Sequence, residues 1–172
     1  SVVTWGGSDY GGDSSLVSSD LSSNVIKVVT YSDFNNRRTY NGAAFAALKS
    51  DGSVVTWGGS GYGGDSSSVS SDLSSDVEEI FASNGAFVAL KSDASIIPWG
   101  NSNMGAIGAP TSNDISHIMP IRDGFAAIKS DGSVSIWGGQ SYIGNGHTVT
   151  SYDFILGNFA GYMVQSDDTL QN

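Results

Sequence analysis

Phe45-Ala46-Ala47-Leu48-Lys49-Ser50-Asp51-Gly52-Ser53-Val54-Val55-Thr56-Trp57-Gly58 reads as two short apolar segments either side of an Asp-Gly pair. Asp-Gly is a strong hairpin signal, because a two-residue type I′ turn needs positive φ at both central positions. A second copy of the first segment, Phe87-Val88-Ala89-Leu90-Lys91, shows how it is used. On a strand, Phe87 and Ala89 face one way and Val88 and Leu90 the other. Apolar residues on both faces mark a strand held between two layers. The stretch therefore predicts a hairpin whose first strand is covered on both sides.

The hairpin is one unit of a repeat. Phe125-Ala126-Ala127-Ile128-Lys129-Ser130-Asp131-Gly132 is a third copy, and Gly161-Tyr162-Met163-Val164-Gln165-Ser166-Asp167-Asp168 a degenerate fourth. Ser1-Val2-Val3-Thr4-Trp5-Gly6-Gly7-Ser8 matches Ser53-Val54-Val55-Thr56-Trp57-Gly58-Gly59-Ser60 residue for residue. All four tryptophans, at 5, 57, 99 and 137, stand in Trp-Gly pairs. The period is roughly forty residues, in the range of blade-type and solenoid repeats, with a longer first unit. A third strand precedes each hairpin, at 25–29, 77–81 and 115–119, and serine-rich loops such as 66–75 join the units. No helical period is sustained.

The 172 residues suffice for one repeat domain, 1–172, with units around Trp5, Trp57, Trp99 and Trp137 and an insertion at 30–42. Seven basic against 17 acidic residues give a net charge of −10, which repels nucleic-acid phosphates and anionic membrane surfaces. Nucleic acid is therefore not an expected partner. There is no cysteine, so disulfides, zinc–thiolate sites and thiol nucleophiles are excluded. No apolar run approaches the roughly 20 residues of a membrane-spanning helix. No leader segment is recognised, and the first residue is Ser1, as expected of a processed form or an excerpt.

Taken together, Val77, Ile80, Ala89-Leu90, Asp93, Trp99-Gly100, Gly105 and Gly108 resemble the repeat of the regulator-of-chromosome-condensation family. The likeness extends over nearly the whole chain. It implies an all-β fold, a β-propeller of antiparallel blades with about four repeat units. The units form either a closed four-bladed ring, in which residues 1–5 complete the blade begun by 162–167, or part of a larger propeller. Two features depart from the family pattern. The trailing glycines of the first two units read Gly11-Gly12-Asp13 and Gly63-Gly64-Asp65. Where the family often has a histidine before the second strand, this chain has Ala44, Ala86, Gly124 and Ala160. The nucleotide-exchange role of the founding member depends on loops that find no counterpart here.

No catalytic constellation emerges. His117 and His147 are the only histidines, and neither has an acid and a nucleophile at a suggestive spacing. Glu78 and Glu79 are adjacent on a strand and so expected to face apart. Asp9, Asp13 and Asp65 sit in glycine-rich turns that brush against a calcium-binding repeat but lack its spacing, and they read as turn residues. No metal, cofactor or catalytic residue is expected.

Two candidate binding sets remain. The insertion carries Tyr31, Phe34, Arg37, Arg38 and Tyr40, the only basic pair in the chain set among aromatics. Arginine and tyrosine are enriched at binding hot spots, and long loops on rigid frames carry function. Tyr10, Tyr62 and Tyr142, with Met104, each follow their tryptophan by the same interval and would gather on one face. The expectation is a non-catalytic protein–protein interaction or scaffolding module, possible as an accessory subunit of a larger assembly. The alternative is a lectin-like propeller that binds carbohydrate through the tyrosines.

Overall fold

Three hairpins of one construction organise the chain. In the first, the Gly52 N–H donates to the Lys49 carbonyl at 3.0 Å and the Lys49 N–H to the Ser53 carbonyl at 2.9 Å. Only the last loop residue is left-handed: Gly52 at φ +78°, Ala94 at +64° and Gly132 at +83°. This is a three-residue loop with a glycine-type bulge, not the two-residue type I′ turn that Asp-Gly implied. The aspartate decides between them. The Asp51 Oδ1 atom accepts from the Ser53 N–H at 3.0 Å and from its hydroxyl at 2.6 Å. Asp93 and Asp131 hold Ser95 and Ser133 in the same way.

A computed structural model describes residues 1–8, 11–30 and 43–139, and the backbone of 148–149. The strands are β1 (Val25–Thr30), β2 (Ala44–Lys49), β3 (Val54–Gly58), β4 (Val77–Ala82), β5 (Ala86–Lys91), β6 (Ile96–Gly100), β7 (Ile115–Ile121), β8 (Gly124–Lys129), β9 (Val134–Gly138) and β10 (Thr148–Val149). They form three antiparallel sheets in chain order, β1-β2-β3, β4-β5-β6 and β7-β8-β9, with β10 beside β9. The fold is all-β, and among the described residues there is no α-helix, only short 3₁₀ turns. These three sheets do not close into a ring.

The middle strands are buried as their two apolar faces require. Phe87 and Ala89 of β5 pack with Ala44, Ala46 and Leu48 of β2 and with Ile80 and Trp99. Ala86 and Val88, on the other face, pack with Ile115, Ile118, Phe125, Ala127 and Trp137. Alanines at the contacts let the sheets approach closely: Ala46, Ala47, Ala89 and Ala127 are fully buried. The first strand of each sheet is its free edge and carries a register shift, at Val25/Lys27, Val77/Glu79 and Ile115/His117.

Each unit is joined to the one before it by its tryptophan. The Trp57, Trp99 and Trp137 indole N–H groups donate to the carbonyls of Gly11, Gly63 and Gly105 at 3.1, 3.0 and 2.9 Å. Phe45, Phe87 and Phe125 stack on these indoles with centroids 5.2, 5.2 and 5.6 Å apart. The glycines are left-handed, and a methyl group on Gly63 would stand 2.6 Å from the Phe87 ring. Glycine meets both demands, open backbone and no side chain.

Two substitutions test this construction by urea unfolding. Gly63→Ala combines left-handed strain with overpacking and is expected to cost about 2–4 kcal/mol. Ala94→Gly relieves a strained turn and is expected to gain about 0.5–1 kcal/mol. A neutral Gly63→Ala would show that the phenylalanine yields freely.

Candidate functional site at the insertion-bearing end

The sheets have two ends of different character. At one lie the aspartate turns; at the other lie the connections from first to second strand. Two of these connections, 83–85 and 122–123, are short and tied down. The Asn101 N–H donates to the Gly85 carbonyl at 2.8 Å, and the Gly139 N–H to that of Asp123 at 2.5 Å. The corresponding bond in the first sheet, from the Gly59 N–H to the Ala43 carbonyl at 2.9 Å, closes the base of the long insertion. Thr30 is the last residue of β1, so the inserted chain runs between Thr30 and Ala43.

Loop 83–85 joins neighbouring sheets at this end. Ser83 is completely buried, with its hydroxyl 2.9 Å from the Met104 carbonyl oxygen and 3.3 Å from that of Ala86. The Asn84 N–H donates to the Arg122 carbonyl at 3.0 Å, and its side-chain amide to Asp123 Oδ1 at 3.3 Å. Tyr62 and Met104 converge on Gly85, where an added methyl would stand 2.9 Å from the tyrosine ring and 2.8 Å from the methionine sulfur. Tyr62 is half-buried against the core between the first two sheets. The structure thus brings together two of the residues that follow the tryptophans. The others, Tyr10 and Tyr142, lie outside the described residues, as do Tyr31, Phe34, Arg37, Arg38 and Tyr40 and also Asp9 and His147.

Sequence reading passed over Ser83, Asn84 and Asp123. Asn84-Gly85 was a turn signal in plain view, but nothing marked its asparagine as reaching the next unit. The remaining polar candidates are accounted for locally. His117 is exposed on β7, opposite Ile128. Glu79 pairs with Lys27 of the neighbouring sheet at 2.9 Å, and Glu78 is exposed. Asp13 and Asp65 accept the N–H groups of Ser15 and Ser67 at 2.9 Å, at the start of 3₁₀ turns Ser15–Val17 and Ser67–Val69. Among the described residues no group of three or more histidine, cysteine, aspartate or glutamate side chains could hold a metal ion. None of the described helical turns is long and apolar enough to cross a membrane. Compared with known protein families and with curated proteins, the chain matches none.

At the opposite end, hydrogen bonds from Ser53, Ser95 and Ser133 hold the Asp51, Asp93 and Asp131 carboxyls below the usual aspartate range, helped by Lys49, Lys91 and Lys129. Asp13 and Asp65 are lowered by Ser15 and Ser67. A carboxyl whose folded pKa is depressed stabilises the fold in its ionised form. That contribution is complete above the ordinary aspartate range, about 3.9, and is lost as pH falls through it toward the lower folded values. All five groups are exposed, so each contribution is small. The combined variant Asp51→Asn, Asp93→Asn, Asp131→Asn keeps the acceptor oxygen and removes the charge. Its melting temperature is expected to fall less than that of the parent on acidification from about pH 5 to about pH 3. An undiminished acid drop would place the acid sensitivity elsewhere.

Proposed function

We propose that this chain is a non-catalytic scaffold that binds protein partners through its insertion-bearing end, built as a propeller of the regulator-of-chromosome-condensation repeat type. About four units make up this propeller, either closed or as part of a larger ring. One observation carries the reading. At an end where the other two connections are short and hydrogen-bonded to their neighbours, the first sheet alone inserts a long segment rich in tyrosine and arginine. A rigid frame lowers the entropy lost when such a segment engages a partner. In an acidic chain, its Arg37-Arg38 pair suits an acidic protein surface. The test is the double variant Arg37→Ala, Arg38→Ala. It is expected to weaken capture of the native partner by at least about tenfold, equivalent to about 1.4 kcal/mol, with an unchanged melting temperature. Capture at parental strength would remove the insertion from the reading.

A second reading, carbohydrate binding, draws on Tyr62. Its ring stays partly exposed at the same end as the side chains of Asn84 and Asp123, a pairing of apolar face and polar groups that suits a sugar. Binding on a glycan array that is abolished by Tyr62→Ala would favour it over the scaffold. Silence across a broad array would exclude it.

A further inference from the structure

Among the described residues Asn84 is the one asparagine followed by glycine. The pair is chemically labile, because a glycine has no side chain to keep its nitrogen from the asparagine side-chain carbonyl carbon. Each half is nevertheless demanded by the fold. Gly85 is left-handed at φ +142°, and a side chain there would run into Tyr62 and Met104. Asn84 supplies a side-chain donor to Asp123, which as a carboxylate can only accept. A bulkier residue after Asn84, or an acid in its place, would undo one contact or the other. The junction between the second and third sheets therefore retains a reactive pair within it.

The same contacts hold the pair in an unreactive arrangement. Cyclisation needs the Gly85 nitrogen, stripped of its proton, against Cγ of Asn84. In the folded chain the Gly85 N–H donates to the Ser83 carbonyl at 2.7 Å, and the Asn84 N–H to that of Arg122 at 3.0 Å. The Asn84 side-chain nitrogen is held by Asp123 Oδ1 at 3.3 Å. Ser83 and Gly85 are buried, so water and hydroxide reach the Gly85 nitrogen only when the loop opens.

We propose that Asn84 is a deamidation site that the junction protects, and that its reaction, once it has occurred, holds the junction open. In the step itself the Gly85 nitrogen loses its proton and forms a bond to Cγ of Asn84, and the side-chain nitrogen leaves as ammonia. Water then opens the cyclic imide at either carbonyl, giving aspartate or isoaspartate. Aspartate places a second carboxylate against Asp123, where like charges repel and no donor remains. Isoaspartate also lengthens the main chain by a carbon just before Gly85, whose carbonyl accepts the Asn101 N–H at 2.8 Å. Either product weakens the contact that suppressed the reaction, so the change runs one way. The proposal is independent of which partner the insertion binds.

The full chain is incubated in mildly alkaline buffer with and without concentrated urea, and peptide mapping follows conversion at Asn84. Deamidation in the folded chain is expected to be at least about tenfold slower, because it must await local opening. Equal rates would overturn the protection. The Asn84→Asp variant reproduces the first product. Its melting temperature is expected to fall by about 2–8 °C. Adding Asp123→Asn is expected to restore most of that loss, because amide and carboxylate have then changed places. A parental melting temperature in Asn84→Asp, or a loss that Asp123→Asn does not repair, would overturn the switch. If Asn84→Asp does not fold, recovery of a folded chain in the double variant supports the proposal and its absence overturns it.

Discussion

The contact on which the rest depends is the one between a tryptophan indole and the left-handed glycine of the unit before it. In each case the indole N–H ends on a glycine carbonyl, while a phenylalanine stacked on that indole occupies the space a side chain on the glycine would need. A buried indole N–H without an acceptor would cost about 1–3 kcal/mol, and a stacked aromatic pair adds about 0.5–1.5 kcal/mol beyond its burial. Three residues from two units therefore secure one sheet to the next. The polar bond fixes the separation of the sheets, and the alanines of β2, β5 and β8 make that separation possible.

Because this contact joins only neighbours, stability accumulates step by step along the repeat. That explains which parts of the unit drift in sequence. The Trp-Gly pair and the left-handed glycine recur because each serves the junction, and the turn aspartate recurs because it holds the serine of its own hairpin loop. Ala94 shows the limit of tolerance: it holds the left-handed turn position that glycine fills at 52 and 132. The connection after the first strand is free to lengthen, since the bond from Gly59 to Ala43 closes its base whatever lies between. An insertion there adds a surface without touching the junction.

Much of the fold was legible in the residues. Alternation in Phe87–Leu90 specified a strand buried on both faces, and β5 divides its side chains between two cores accordingly. The first strands lie within a residue or two of where their apolar runs place them. What escaped the sequence was geometry set by hydrogen bonds between segments. Asp-Gly alone implied a type I′ turn; the serine after it converts the loop to a bulged one by occupying the aspartate. The register shifts in β1, β4 and β7 were hidden too, because a bulge changes no residue type. At the site, Tyr62 and Met104 were placed together by their equal distance from a tryptophan, whereas Ser83 and Asn84 gave no sign of bridging units. A short polar loop looks the same in sequence whether it faces water or a neighbour.

The acidity of the chain takes on a different meaning once the turns are seen. Asp13, Asp51, Asp65, Asp93 and Asp131 are each engaged by a serine two residues on, so five of the 17 acidic residues are part of the turn geometry. On the free edges, Lys27 and Glu79 are paired across neighbouring sheets, and with the register shifts they discourage other strands from adding there. Charge in the frame is thus committed to keeping the sheets in shape and apart from foreign edges. In sequence, the Arg37-Arg38 pair interrupts this acidic repeat within the segment inserted between Thr30 and Ala43, a connection whose base is closed by the bond from Gly59 to Ala43.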